Sequence, residues 1–223
     1  MDLSPLWISL ATSLVATAIT LFVGVGAAAW RSSRRGFFAV VVDCVFLLPL
    51  VLPPTVVGFF LLLIFGRRGP IGQLLLRFDA TVVFSWPATV IAAVVVSLPL
   101  MYLSARAALE MVDPHLLEAA RTLGATEWRV FREVALPLAW PGVIAGTILA
   151  FARALGEFGA TLMIAGDIPG RTETIPITIY FAVEAGQMWR ALLWCGADVA
   201  ISLLLLGGVY YWTQLQRATR GIR

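Results

Sequence analysis

Five stretches of about 20 apolar residues decide what this chain can become, because a helix needs about that many to cross the ~30 Å hydrocarbon core of a bilayer. They run from Leu6 to Trp30, Asp43 to Phe65, Val82 to Ser104, Gly142 to Ala165 and Leu192 to Trp212. A sixth span would require one block to be divided, and no block shows such a cut. With 60% hydrophobic residues and a mean hydropathy of +0.91, a water-soluble domain of this length could not hide its apolar surface. The expected fold class is therefore all-α integral membrane, a single domain over residues 1–223. The first block is longer than a signal-peptide core and lacks a basic leader, so it is read as a spanning helix.

All 16 basic residues are arginine, and the net charge is +3. Arg31, Arg34 and Arg35 follow the first span, Arg106, Arg121, Arg129 and Arg132 lie after the third, and Arg217, Arg220 and Arg223 close the chain. Fewer face the other side: Arg67, Arg68, Arg77 and Arg171, with Arg190 at a span edge. The positive-inside rule then puts the N-terminus outside and the C-terminus in the cytoplasm, with Arg67 and Arg68 running against it. The charge sets orientation and does not point to nucleic acid. Cys44 and Cys195 form neither a metal spacing nor a disulfide framework and are expected to pack in the core.

Residues 105–140 are the longest polar interruption, and within them DPHLLEAARTLG has the signals of a short helix. Asp113 can cap it, Pro114 suits its first position, and Gly124 can take the left-handed conformation that ends it. Leu116, Ala120 and Leu123 then share an apolar face, with Glu118 and Arg121 elsewhere, as in a helix that docks into a partner's groove. His115, the only histidine, is read as a surface contact. Thr126 can cap a second turn carrying Trp128 and Phe131, and Leu136-Pro137 closes the stretch.

Two apolar blocks carry features that a plain anchor would not need. In LPLVLPPTVVG, Pro49, Pro53 and Pro54 remove donors and clash with preceding carbonyls, so this span must be kinked or broken at membrane depth. Broken helices in transporters line a path or gate, and a bent packing helix is the other reading. Ser97-Leu98-Pro99-Leu100 marks another kink, in the third span. In the fourth block, Gly142 and Gly146 suit close helix contact. Arg153 and Glu157, followed by Thr161, fall on one helical face, where either charge alone would cost about 3 kcal/mol at the bilayer centre. The pair either braces or gates a path or is a structural ion pair between helices. The small residues of the first span, with Gly24 and Gly26, suit packing on protein, here a second copy of the chain, the alternative being a lipid-facing anchor. Asp198 in the last span must face protein or water.

Glu118-Ala119-Ala120, Gly124 and Leu136-Pro137 resemble the EAA loop of permease subunits of ABC importers. The RALGEFGAT run, which holds Arg153, Glu157, Phe158 and Thr161, together with Pro53, Pro54 and Thr55, is similar to segments of the molybdate and tungstate permeases, and sulfate permeases share part of it. The resemblance implies a type I importer permease fold, with Leu116, Glu118, Ala119, Ala120, Gly124, Leu136 and Pro137 coupling to an ATPase. Pro53, Pro54, Thr55, Arg153, Glu157, Phe158 and Thr161 would line the path or gate. It implies as partners a second copy, two ATP-binding subunits, an extracytoplasmic oxyanion-binding protein and the bilayer. The chain has no GxxxxGK[ST] loop, so no cofactor is expected on it, and ATP and magnesium belong to the ATPase. The outer loop 166–188 should hold a short helix from Ile177 to Ala185 ending at Gly186, with Asp167, Arg171, Glu173 and Glu184 on a rim for the binding protein.

Two other classes compete. An ion-coupled carrier could use Arg153, Glu157 and Asp198, but no inverted repeat is visible and a carrier needs no structured cytoplasmic loop. A membrane enzyme would need a constellation of reactive groups, and one histidine without paired carboxylates offers little.

Overall fold

The computed structural model describes residues 2–32, 34 and 36–220, without the side chains of 206 and 209–220. Arg35, Arg223 and the side chains of Arg217 and Arg220 thus lie outside the described residues. The described chain is helical: α1 (Ser4–Ser32), α2 (Phe37–Val51), α3 (Pro54–Phe65), α4 (Pro70–Leu76), α5 (Trp86–Glu110), α6 (Pro114–Thr122), α7 (Glu127–Val130), a π-helical turn (Phe131–Ala135), α8 (Leu136–Leu155), α9 (Gly159–Ala165), α10 (Ile175–Glu184) and α11 (Met188–Arg220).

The bundle is built around α5, against which α1 and α8 both pack. Two apolar clusters mark its ends. One gathers Ala28, Met101, Tyr102, Ala105, Leu109 and Val143 near the connection to α6, and the other gathers Val57, Leu61, Ala88, Ala92, Ala160 and Ile164 near its start. Ser9, Thr12, Ser13, Ala16, Thr17, Thr20, Gly24 and Ala28 of α1 are buried. Ser13 donates to the Ser9 carbonyl at 2.8 Å and Thr17 to that of Ser13 at 2.6 Å, while the Thr12 hydroxyl pairs with that of Thr89 on α5 at 2.9 Å and the Ser9 hydroxyl accepts from the Ile175 N–H at 2.8 Å, so this polar-looking face can be dry. The small-residue face expected against a second copy or lipid therefore packs on α5 and α8 of its own chain. The pattern demanded close approach without saying to what.

Gly142 and Gly146 behave as expected. A Cβ on Gly142 would lie 2.5 Å from the Cβ of Ala108, and one on Gly146 would lie 2.6 Å from that of Ser104. Gly146→Val should therefore lower stability by about 1–3 kcal/mol through overpacking. Gly26→Ala, where an added Cβ meets nothing within 4 Å, should be neutral or stabilising by up to ~1 kcal/mol. Thermal unfolding of the detergent-solubilised protein compares the two.

The second block is broken, not merely kinked: α2 and α3 meet at 117°. A residue before proline is pushed out of the helical region, and two successive prolines impose this on Leu52 (ψ 143) and Pro53 (ψ 137). Phe46 and Leu47 of α2 pack on the cluster at the α6 end of α5, whereas Val57 and Leu61 of α3 lie in the cluster at the other end. By length and composition there are four candidate spans, α1, α5, Glu127–Leu155 and the described part of α11, or five where the two halves of this broken block are counted as one. By contrast, α5 is not divided at Pro99, and it starts and ends later than the Val82 to Ser104 block suggested.

Three expectations need correction. Leu136-Pro137 does not close the polar stretch, because helix runs unbroken from Glu127 to Leu155. Pro137 cannot donate and its ring crowds the preceding turn, and the π-helical turn ahead of it, in which the Leu136 N–H donates to the Phe131 carbonyl, accommodates both. The fourth span stops at Leu155, so Arg153, Glu157 and Thr161 do not share one helical face. Gly156, Glu157 and Phe158 separate α8 from α9. Finally, Cys44 and Cys195 are exposed, not core: α2 turns Asp43, Phe46 and Leu47 inward, and α11 buries Ala191 and Trp194 instead.

Candidate functional site

The segment after α5 folds as its local chemistry dictates. Asp113 Oδ1 accepts from the His115 backbone N–H at 2.9 Å, Pro114 opens α6, and Gly124 ends it with φ of +84°. His115 is exposed, as expected. Leu117 packs inward on the α5 cluster and Ala120 is half-buried. Leu116 is 48% exposed and Leu123 88% exposed, beside exposed Glu118 and Ala119. An amphipathic helix with one face anchored and the other bare is therefore presented at one end of the bundle. Of the expected apolar face, Leu116 and Leu123 are free while Ala120 leans inward.

Arg121 and Glu127 were missed by sequence reasoning. They form a two-pronged pair, Nε to Oε1 at 2.7 Å and Nη2 to Oε2 at 3.1 Å, that spans the Gly124 turn. The pair fixes α6 against the start of the next span, Trp128 and Phe131 stack at 5.8 Å, and a groove of about 980 Å³ separates this segment from Gly26 and Ser32 of α1. Leu136 and Pro137 lie beyond it, in the span.

The second constellation is where two interrupted spans meet. A Cβ on Gly159 would lie 3.2 Å from Pro54 Cβ and 3.3 Å from Thr55 Cγ2, and one on Gly58 would lie 2.8 Å from the Cα of Ala160. The break in the second block is thus seated on the break in the fourth; a Cβ at Gly58 would collide with the Ala160 backbone, and one at Gly159 would need its neighbours to give by a few tenths of an ångström. Glu157, 3% exposed, performs two tasks there. Its Oε1 accepts from the Ala160 N–H at 2.7 Å, supplying α9 with a cap-like acceptor, and its Oε2 meets Arg153 Nη1 at 2.9 Å. Phe158 stacks on Tyr180 of α10 at 5.1 Å, and Thr161 is buried. Pro53, Pro54 and Thr55 are exposed on the other side of the junction. Of the seven residues singled out from sequence, Pro54 and Thr55 thus meet Gly159 at the start of α9, Glu157 ties Arg153 to that start, and Phe158 packs on Tyr180.

Loop 166–188 carries its helix at Ile175–Glu184, ended by Gly186 with φ +71°. Glu173 is a correction, because it is buried rather than on a rim. It accepts from Thr178 at 3.1 Å and meets Arg190 at 3.5 Å. Arg171 and Glu184 are exposed. Asp167 has one carboxylate oxygen buried without a hydrogen-bond partner among the described residues, and burial raises its pKa, partly offset by Arg190. A raised native pKa means that ionisation destabilises the fold as pH climbs above the ordinary 3.8. Asp167→Asn should therefore raise the unfolding temperature at neutral pH, with the gain vanishing below that value.

A helical domain of four to five candidate spans that offers a capped amphipathic helix at one end and seats two broken apolar blocks on each other is built as a transport subunit, not as an anchor. The family described as "Binding-protein-dependent transport system inner membrane component" matches residues 6–217, and the chain belongs to it. A molybdenum transport system permease protein of Escherichia coli is 47% identical over 89% of this chain and 88% of its own length. One of Azotobacter vinelandii is 40% identical over 94% and 93%, and a sulfate transport system permease protein of Synechocystis is 35% identical over 90% and 72%. In fold, the chain resembles an inward-facing methionine ABC transporter (TM-score 0.72, 17% identity, covering 98% and 94%) and an amino acid ABC transporter (TM-score 0.68, 20% identity, covering 95% and 92%).

Proposed function

We propose that this chain is the membrane-spanning subunit of an ATP-driven importer of molybdate or tungstate. Two copies would surround one path, joined by two ATP-binding subunits and an extracytoplasmic oxyanion-binding protein. The observation that carries the coupling half of this reading is the bare face of α6 around Leu116, Glu118, Ala119 and Leu123, an apolar face with an acidic rim that has no covering among the described residues. ATP and magnesium would bind the partner, and the energy of closing it would reach this chain through α6. The orientation is N-terminus outside and C-terminus in the cytoplasm, in keeping with Arg31, Arg34, Arg106, Arg121, Arg129 and Arg132 at the α6 end.

The names of the relatives support the cargo, and the chemistry of the junction is compatible with it. Arg153 is compensated by Glu157, so a tetrahedral dianion would pass a weakly favourable path and selection would rest on the binding protein. ATP shifts the equilibrium between inward- and outward-open forms only through its different affinity for the two.

The test is ATPase activity of this chain reconstituted with its cognate ATP-binding subunit, with binding protein loaded with molybdate, tungstate or sulfate in turn. Stimulation by the molybdate- or tungstate-loaded protein alone is the expected result. Stimulation only by the sulfate-loaded protein would keep the importer and change the cargo, and failure to bind an ATP-binding subunit would overturn the importer itself.

A further inference from the structure

Asp43 lies outside every motif above, yet it is the most heavily engaged carboxylate among the described residues. Near the middle of α2, its Oδ2 meets Arg31 Nε of α1 at 2.9 Å and Arg106 Nη1 of α5 at 3.0 Å, while its Oδ1 accepts from the buried hydroxyl of Tyr102. Arg106 in turn holds Glu110 at 2.8 Å, Arg31 donates to the Arg34 carbonyl at 2.7 Å, and the Tyr102 ring packs 5.0 Å from Phe46. One half-buried carboxylate thus joins three helices.

Where those helices lead gives the knot its meaning. Glu110 is the last residue of α5, and Asp113, the cap of α6, follows three positions on. α2 carries the chain from Asp43 to the Pro53-Pro54 break and so to the junction with Gly159. Without the carboxylate, Arg31 and Arg106 would face each other as like charges and Tyr102 would lose its acceptor, so α2 would have only its apolar contacts to hold it to α5. Packed side chains, ion-pair networks and rigid helices carry coupling between remote sites, and the Asp43 knot ties three such helices together.

We propose that Asp43 is a positioning residue for transport, clasping the inner half of the broken span to the end of α5 so that movement of α6 is delivered to the Pro53–Gly159 junction. This rests on the importer reading above. The test uses this chain with its cognate ATP-binding subunit in proteoliposomes, with molybdate-loaded binding protein, and reads molybdate taken up per ATP hydrolysed. Asp43→Asn keeps the size and an acceptor for Tyr102 but removes the charge. The ratio should fall about tenfold, while ATPase activity stays within about twofold of the unsubstituted complex. Asp43→Glu, which restores the charge, should recover part of the ratio. An unchanged ratio in Asp43→Asn, including one in which uptake and ATPase fall together, overturns the clasp. If Asp43→Asn does not assemble, the ratio is read on Arg106→Gln, which leaves Arg31 on Asp43; a fall there supports the proposal and an unchanged ratio overturns it. Absence of uptake by the unsubstituted complex would instead remove the importer reading.

Discussion

Arg153→Ala is expected to destabilise the protein more than the double change Arg153→Ala with Glu157→Ala. Glu157 is 3% exposed, so removal of Arg153 leaves a carboxylate in the interior with only the Ala160 N–H to stabilise it. Breaking a fully buried pair costs about 3–5 kcal/mol; with the Arg153 side chain 29% exposed, about 2–3 kcal/mol is the appropriate scale. Glu157→Ala removes the acceptor for Ala160 and leaves a guanidinium that can turn toward water, so it should fall between the other two. The double variant loses the pair and the acceptor but buries no lone charge, and about 1 kcal/mol is expected. Thermal unfolding of the four proteins closes the cycle. A double variant worse than either single change would mean that the two side chains do not act as a pair.

What could be read in the sequence was whatever a short stretch decides for itself. Asp113, Pro114 and Gly124 specify α6 through capping and a single positive φ, and the structure has the helix within a residue of that reading. The blocks gave five spans, and Pro53-Pro54 announced a discontinuity. What could not be read is what one element finds when it meets another. Nothing local says that the proline break sits on Gly159, that the small residues of α1 face α5 and not a second copy, or that Asp43 reaches both Arg31 and Arg106. Asp43 did leave a signal, since a carboxylate opening an apolar block requires a partner, but the choice among sixteen arginines is made by the fold. The Leu136-Pro137 error has a different origin. Proline normally reads as the end of a helix, and a π-helical turn lets the helix pass through it.

Gly124→Pro should abolish coupled uptake while leaving the protein inserted in the membrane. Proline fixes φ near −65°, and Gly124 sits at +84°, so the turn that lays α6 against the next span cannot form. The substitution also removes the N–H that donates to the Arg121 carbonyl at 2.9 Å, and with it the geometry that brings Arg121 to Glu127. The bundle itself does not depend on this turn: Gly124 is exposed, and a Cβ there would meet nothing within 4 Å. Gly124→Ala separates the two effects, because it keeps the N–H and meets only the strain of a positive φ, about 1–2 kcal/mol, so it should retain much of the uptake. The measurement is ATP-driven molybdate uptake together with the amount of chain in the membrane and the ATP-binding subunit retained on it. Loss of that subunit with normal insertion is the expected pattern for Gly124→Pro. Normal uptake would mean that α6 is not the element through which the partner drives the spans, and the bare Leu116 and Leu123 would then need another explanation.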